Sequence, residues 1–235
     1  MSRPPDPPLS TTEWVPGARS PYSLPVWRIA WLVPCALTGV IVATTVGVAA
    51  GALATGSAGL ALYLWVRGQG RLALRSTRAV PIEPDGAPRL ANIAEGLAAT
   101  AGCPVPSLWL IDEGGPNALV CRAGGVPVIA ATRSLVDGYS RTELEAVVAH
   151  CLVRLRDSRR LSETVALGPL SVTTGPFPDF SQDAAAAALT RYPPALASAI
   201  VKARPRSDRF RALWLVADGP FNEPQSARAE MLLDL

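Results

Sequence analysis

The sequence predicts an α+β chain in which a transmembrane helical hairpin precedes a mainly helical domain with a small sheet. Three observations predict it. No Asp, Glu, Lys or Arg occurs between Ile29 and Val66. Further on, Leu90 to Ala98 and Leu144 to Leu155 repeat apolar residues at the spacing of one helical face. Two short apolar runs, SLWLID and VPVIAA, lie among Gly and Pro, as strands do.

The charge-free run fixes the first element. As one helix its 38 residues would extend about 57 Å, against a hydrocarbon core of about 30 Å. Two antiparallel passes over 29–66 fit better, with a tight turn expected in AAGALATGSAG near the far membrane surface. Arg19 and Arg28 precede the run; Arg67, Arg71, Arg75 and Arg78 follow it, with no acid before Glu83. Basic residues at both ends put both termini in the cytoplasm. Trp27, Trp31, Tyr63 and Trp65 cluster at those ends, as an interfacial aromatic belt does. A cleaved signal peptide fits poorly, because the run is too long and begins too late. Residues 1–25, rich in Pro, Ser and Thr, read as a disordered tail.

Composition narrows the chemistry. The net charge of +3 and the lack of a basic patch interleaved with aromatics argue against nucleic acid as a partner. Lys202 is the only lysine, a skew that reads as the base composition of a GC-rich genome. The four cysteines, Cys35, Cys103, Cys121 and Cys151, form no C-x-x-C pair, so a disulfide framework is not expected. His150 is the single histidine.

The domain spans residues 80–235. PRLANIAEGLAATAG turns Leu90, Ile93, Ala94, Leu97 and Ala98 to one side. Between the two strand runs, EGGPNALVCRAGG is loop-rich with room for another strand. Ser140 and Glu143 form a capping box that opens a helix with Leu144, Val147, Val148, Cys151, Leu152 and Leu155 inward. Residues 158–178 read as loop. AAAALTRY, PPALASAIVKA and RFRALWLV read as successive helices, and PQSARAEMLLDL as a short terminal one.

These pieces together resemble a family: the HtpX-like and CAAX-prenyl-endopeptidase-like membrane zincin metallopeptidases (metallopeptidase family forty-eight). The resemblance rests on order and spacing: the hairpin, Asn117-Ala118 leading into a strand, the strand VPVIAA, and an E-L-x-A-V-x-A-H helix. Glu143, Leu144, Ala146, Val147, Ala149 and His150 fill that last pattern. Asp157, seven residues after His150, stands where the family often has an aspartate, and RAEMLLDL is similar to its closing R-x-x-x-L helix. The resemblance implies a zincin-like fold, a zinc cofactor, and a substrate groove bordered by Asn117, Ala118 and Val128.

The family's H-E-x-x-H reads H-C-L-V-R here. A zincin needs two imidazoles at i and i+4 on one metal. His150 holds the first position and Arg154 the second, and a guanidinium has no lone pair to donate. Cys151 replaces the glutamate general base. With Asp183 as the family's later aspartate, Asp179 falls in the third-ligand position. Neither catalysis nor metal binding is therefore expected. The reading is a membrane-anchored pseudoprotease that binds or regulates a peptide or membrane-protein partner at the lipid bilayer. Two alternatives stay open: a zinc endopeptidase with an atypical ligand set, and a structural membrane assembly protein. Arg154 is either a solvated charge or a cation paired with Asp179 in place of the metal.

Overall fold

The computed structural model describes residues 26–83, 86–156, 180–218 and 224–235, with the backbone alone for 26–32. The chain is mostly helical with one small mixed sheet. The expected tail 1–25 and the expected loop 158–178 lie outside the described residues, as do Asp157 and Asp179.

Helix α1 spans Val26–Thr45 and α2 spans Val48–Ser76. They part at Gly47, whose φ of 126° is open to glycine and rarely to other residues. The two helices run antiparallel in close contact. A Cβ on Gly51 would lie 2.5 Å from the Ala43 Cβ and 2.6 Å from the Gly39 carbonyl oxygen, so only a glycine admits this approach. Val40, Ile41, Leu53, Leu60 and Leu64 face outward, exposed. Among the described residues one helix, α2, is long and apolar enough to cross a membrane, while the apolar part of α1, Val33–Thr45, is shorter.

The turn was expected within AAGALATGSAG and lies before it. Small residues signal both turns and close helix packing, and here Gly51 serves the packing. The arginine-rich stretch after Val66 is likewise helical, since α2 continues unbroken to Ser76. Its last turns belong to the domain: Ala73 and Leu74 are buried in the core. A Cβ on Gly70 would meet the Arg122 carbonyl oxygen at 2.2 Å. The end of α2 thus packs with the core formed by the residues that follow it.

Strands β1 (Val80–Pro81), β2 (Ser107–Ile111), β3 (Ala118–Ala123) and β4 (Val126–Thr132) form a sheet in the order β1-β2-β4-β3. β2 and β4 are parallel; the other pairs are antiparallel. Gly124 and Gly125, with φ of 66° and 96°, join β3 to β4 through a two-residue turn that needs positive φ at both positions. β3 is the strand that EGGPNALVCRAGG left room for.

Around the sheet lie α3 (Pro88–Ala101), α4 (Arg133–Gly138), α5 (Arg141–Arg156), α6 (Phe180–Thr190), α7 (Pro193–Lys202) and α8 (Gln225–Leu233). Pro88 and Pro193 open their helices, where a missing N–H costs nothing. The expected inward residues of α3 are buried, except that Leu97 packs at the rim.

The capping box at α5 forms as expected. Ser140 Oγ accepts from the Glu143 amide at 3.3 Å, and Glu143 Oε2 accepts from the Ser140 amide at 2.9 Å. Glu143 does more than cap, since its Oε1 also accepts from Ser198 and Lys202 of α7, each at 2.6 Å. Burial alone would raise its pKa, but those hydrogen bonds and the one from Ser140 outweigh it and bring the carboxyl down to about 2.

RFRALWLV is not a helix. A single 3-10 turn, Arg211–Leu213, gives way to an extended strap. Leu213, Trp214, Leu215 and Val216 are all buried, and an unbroken apolar run carries no period to tell strap from helix. Asp208 sets the bend: it accepts from the Phe210 amide at 2.7 Å and from Trp214 Nε1 at 3.1 Å.

Candidate functional site

Helix α5 runs through the middle of the domain, between the sheet and helices α3, α6 and α7, and it is buried on almost every side. That burial follows from its sequence. Small Ala146 and Ala149 let neighbours approach between the larger Leu144, Val147, Val148 and Leu152. Its second half carries His150, Cys151 and Arg154, all buried.

His150 points at Asp183 of α6, with Nδ1 3.0 Å from Oδ1. The approach is close but off the line of a good hydrogen bond, so both imidazole nitrogens are buried without a proper partner. Burial pulls the His150 pKa below its ordinary value, and Arg154 and Arg228 add to this against the pull of Asp183. The ring is neutral at neutral pH.

Asp183 is held from its other side by Arg228 of α8. Arg228 Nε donates to Oδ2 at 2.8 Å and Nη2 to Oδ1 at 2.7 Å, a two-pronged ion pair with both side chains almost wholly buried. Burial would raise the Asp183 carboxyl, but His150 and Arg228 outweigh it and hold it far below the usual carboxylate range. A third prong, Arg228 Nη1, donates to the Leu215 carbonyl at 2.9 Å.

Arg154, one turn after His150, faces the strap. Its Nη1 donates to the carbonyls of Leu213 (3.1 Å) and Trp214 (3.0 Å), and Nη2 to that of Ala212 (2.6 Å). Burial lowers its pKa to about 10, which leaves it charged at neutral pH. It is therefore not a solvated surface charge. Its ion-pair partner in the alternative reading, Asp179, lies outside the described residues.

The strap thus anchored lies along the free edge of β3. Trp214 pairs antiparallel with Leu119, and the Leu215 amide donates to the Ala118 carbonyl at 2.8 Å. Asn117 completes the hold. Its Nδ2 donates to the carbonyls of Arg204 and Val216, both at 2.8 Å, and its Oδ1 accepts from the Ala118 and Val216 amides.

Asn117, Ala118 and Val128, expected along a substrate groove, are each almost completely buried. The chain's own strap covers the β3 edge beside Ala118. Asn117 thus acts as a fastener between the sheet and the C-terminal region. Sequence reasoning missed Arg228 as a partner of Asp183, and its signal was a lone cation among the apolar residues of the last helix.

Among the described residues the donors do not make up a zincin's ligand set. His150 offers a neutral Nε2, but a guanidinium follows at i+4 where a second lone pair is required. Burial raises the Cys151 thiol to about 12, against a smaller opposing pull from Arg154. It is thus a buried core thiol, protonated at neutral pH and not poised as a general base. Among the described residues no three His, Cys, Asp or Glu side chains come together.

This chain is similar to curated proteins named "Protease HtpX homolog". The one from Dictyoglomus turgidum is 29% identical over a match covering 49% of this chain and 53% of its own. That from Tropheryma whipplei (strain Twist) is 33% identical, covering 43% and 35%. That from Thermococcus sibiricus is 36% identical, covering 41% and 33%. The resemblance read from the sequence is thus shown, to proteins named as HtpX-type proteases. The chain spans about half or less of the length of these relatives. No protein-family model matches it. No solved structure matches it.

Proposed function

We propose that this chain is a membrane-anchored, zincin-like metallopeptidase homologue that hydrolyses no peptide and works by binding or regulating a membrane-protein or peptide partner. One observation carries the reading: the Arg154 guanidinium holds three carbonyls of the chain's own strap from the position of the second zinc ligand. A zinc peptidase needs at this place an open metal coordination site and a free strand edge for substrate. In this chain a cation stands at the first, and the strap pairs with β3 at Ala118 and Leu119. The orphaned His150 Nε2 favours the alternative, an enzyme with an atypical ligand set, because a buried unsatisfied nitrogen costs about 1–3 kcal/mol and a metal would relieve it. A cleavage assay separates the two. Full-length protein purified in detergent and supplied with zinc should leave casein intact, whereas cleavage abolished by His150→Ala would establish the enzyme.

The anchor in this reading is the α1–α2 pair as a two-pass hairpin with both termini in the cytoplasm. Its support is the outward apolar face of both helices and the arginines at both ends. Reporter fusions after Leu24 and after Leu235 should give the same cytoplasmic signal. Opposite signals would mean a single pass.

A further inference from the structure

The junction between the membrane helices and the domain carries a second constellation, which the protease resemblance leaves unused. Arg67, Arg71 and Arg75 recur every four residues along α2, and all three are exposed. Across from them stands the β3–β4 turn. The Arg71 guanidinium lies so close to Gly124 that a Cβ there would come within 2.4 Å of its Nη2. Arg67 Nη2 approaches Gly125 in the same way, at 3.4 Å from a built Cβ. Arg122, at the end of β3, reaches the same turn and donates from Nη1 to the Gly125 carbonyl at 3.1 Å. Three guanidinium groups thus converge on one glycine turn.

No ion pair among the described residues neutralises their charge. Among the described residues no carboxylate pairs with Arg67, Arg71, Arg75 or Arg122, although Arg78, one turn further on, pairs with Glu113 at 3.2 Å. Like charges held this close without a counter-ion repel, and an anion between them relieves the repulsion.

The position of the cluster says which anion. From Val48, about 20 residues of helix cross a hydrocarbon core, which brings Arg67 to the far boundary. Arg71 and Arg75 then lie about 6 Å and 12 Å beyond it, at the depth of lipid headgroups. Tyr63, whose hydroxyl accepts from Arg67 Nη1 at 2.6 Å, sits one turn inside, as an interfacial aromatic does. Because α2 is unbroken and Gly70 packs on β3, the turn is held at the same level. Val126, beside the turn, exposes an apolar side chain there.

We propose that the cleft between α2 and the Gly124–Gly125 turn binds the phosphate of an anionic phospholipid headgroup through Arg67, Arg71 and Arg122. This inference rests on the two-pass reading above. It makes the glycine turn part of a lipid site and fixes the domain against the bilayer.

The test uses the full chain in nanodiscs of phosphatidylcholine, with and without phosphatidylglycerol. It reads hydrogen exchange of residues 122–126 and the lipid retained after extraction into detergent. The expected result is protection of 122–126 and retention of phosphatidylglycerol over phosphatidylcholine. The double variant Arg67→Gln/Arg71→Gln should lose about thirty-fold of that preference, about five-fold for each arginine removed at a membrane surface. Equal retention of both lipids by a folded, inserted protein would overturn the lipid site alone. Protection by inorganic phosphate in detergent equal to that by phosphatidylglycerol would overturn the lipid as the source. Opposite signals from the Leu24 and Leu235 fusions would overturn the two-pass reading and this site with it.

Discussion

Asp183→Asn is expected to destabilise the protein by about 3–5 kcal/mol, the cost of leaving one partner of a buried ion pair uncompensated. Asp183 is the only carboxylate among the described residues that pairs with Arg228, and it also faces His150. An amide cannot neutralise the guanidinium. Replacing both partners by apolar residues, as in Asp183→Leu with Arg228→Met, should recover most of the loss, because no charge is then left buried. Urea unfolding of the full chain in detergent checks both. The pH dependence follows from the same groups. The folded Asp183 pKa is depressed, so its stabilisation is present above the unfolded value of about 3.9 and is lost as pH falls below it. The folded His150 pKa is also depressed. Its neutral form is favoured, so stability begins to decline as pH falls below about 6.5. Wild-type protein should therefore weaken in two steps on acidification, and in Asp183→Asn the lower one should shrink to the part that Glu143, also depressed, supplies.

Arg154→Ala should cost about 3 kcal/mol or more, because three buried carbonyls lose a charged donor together. The damage should be local before it is global. Ala212, Leu213 and Trp214 would lose their anchor, and the Leu215 amide, bonded to Ala118, should exchange with solvent much faster. Arg154→Lys should restore little, since an ammonium cannot reach three carbonyls with a planar fork. If hydrogen exchange at Leu215 were unchanged in a folded Arg154→Ala protein, the strap would be held by Asn117 and Arg228 alone.

Much of the fold was legible because it was periodic. The apolar spacing of α3 and α5 and the capping pair Ser140–Glu143 depend on nearest neighbours in the chain, and each forms as expected. The turn between α1 and α2 was misplaced because glycine serves two ends. Gly47 breaks a helix, and Gly51 lets two helices touch. The strap was misread as a helix because it is buried on all sides, so its pattern has no polar face to reveal a period. The site was legible by identity and illegible by geometry. His150, Cys151 and Arg154 could be named from one motif. That Arg154 would fasten residues 212–214, some 60 positions away, depends on contacts between distant segments. The same is true of Asn117, which looks like groove edge in the sequence and becomes a fastener once the strap lies beside it.

Zinc content of the full-length protein, purified from membranes without chelator, tests the central claim most directly. With the Arg154 cation at the second-ligand position and Cys151 held as a thiol, the account predicts zinc far below one equivalent, unchanged by His150→Ala. One equivalent of zinc per chain, lost on His150→Ala, would contradict it.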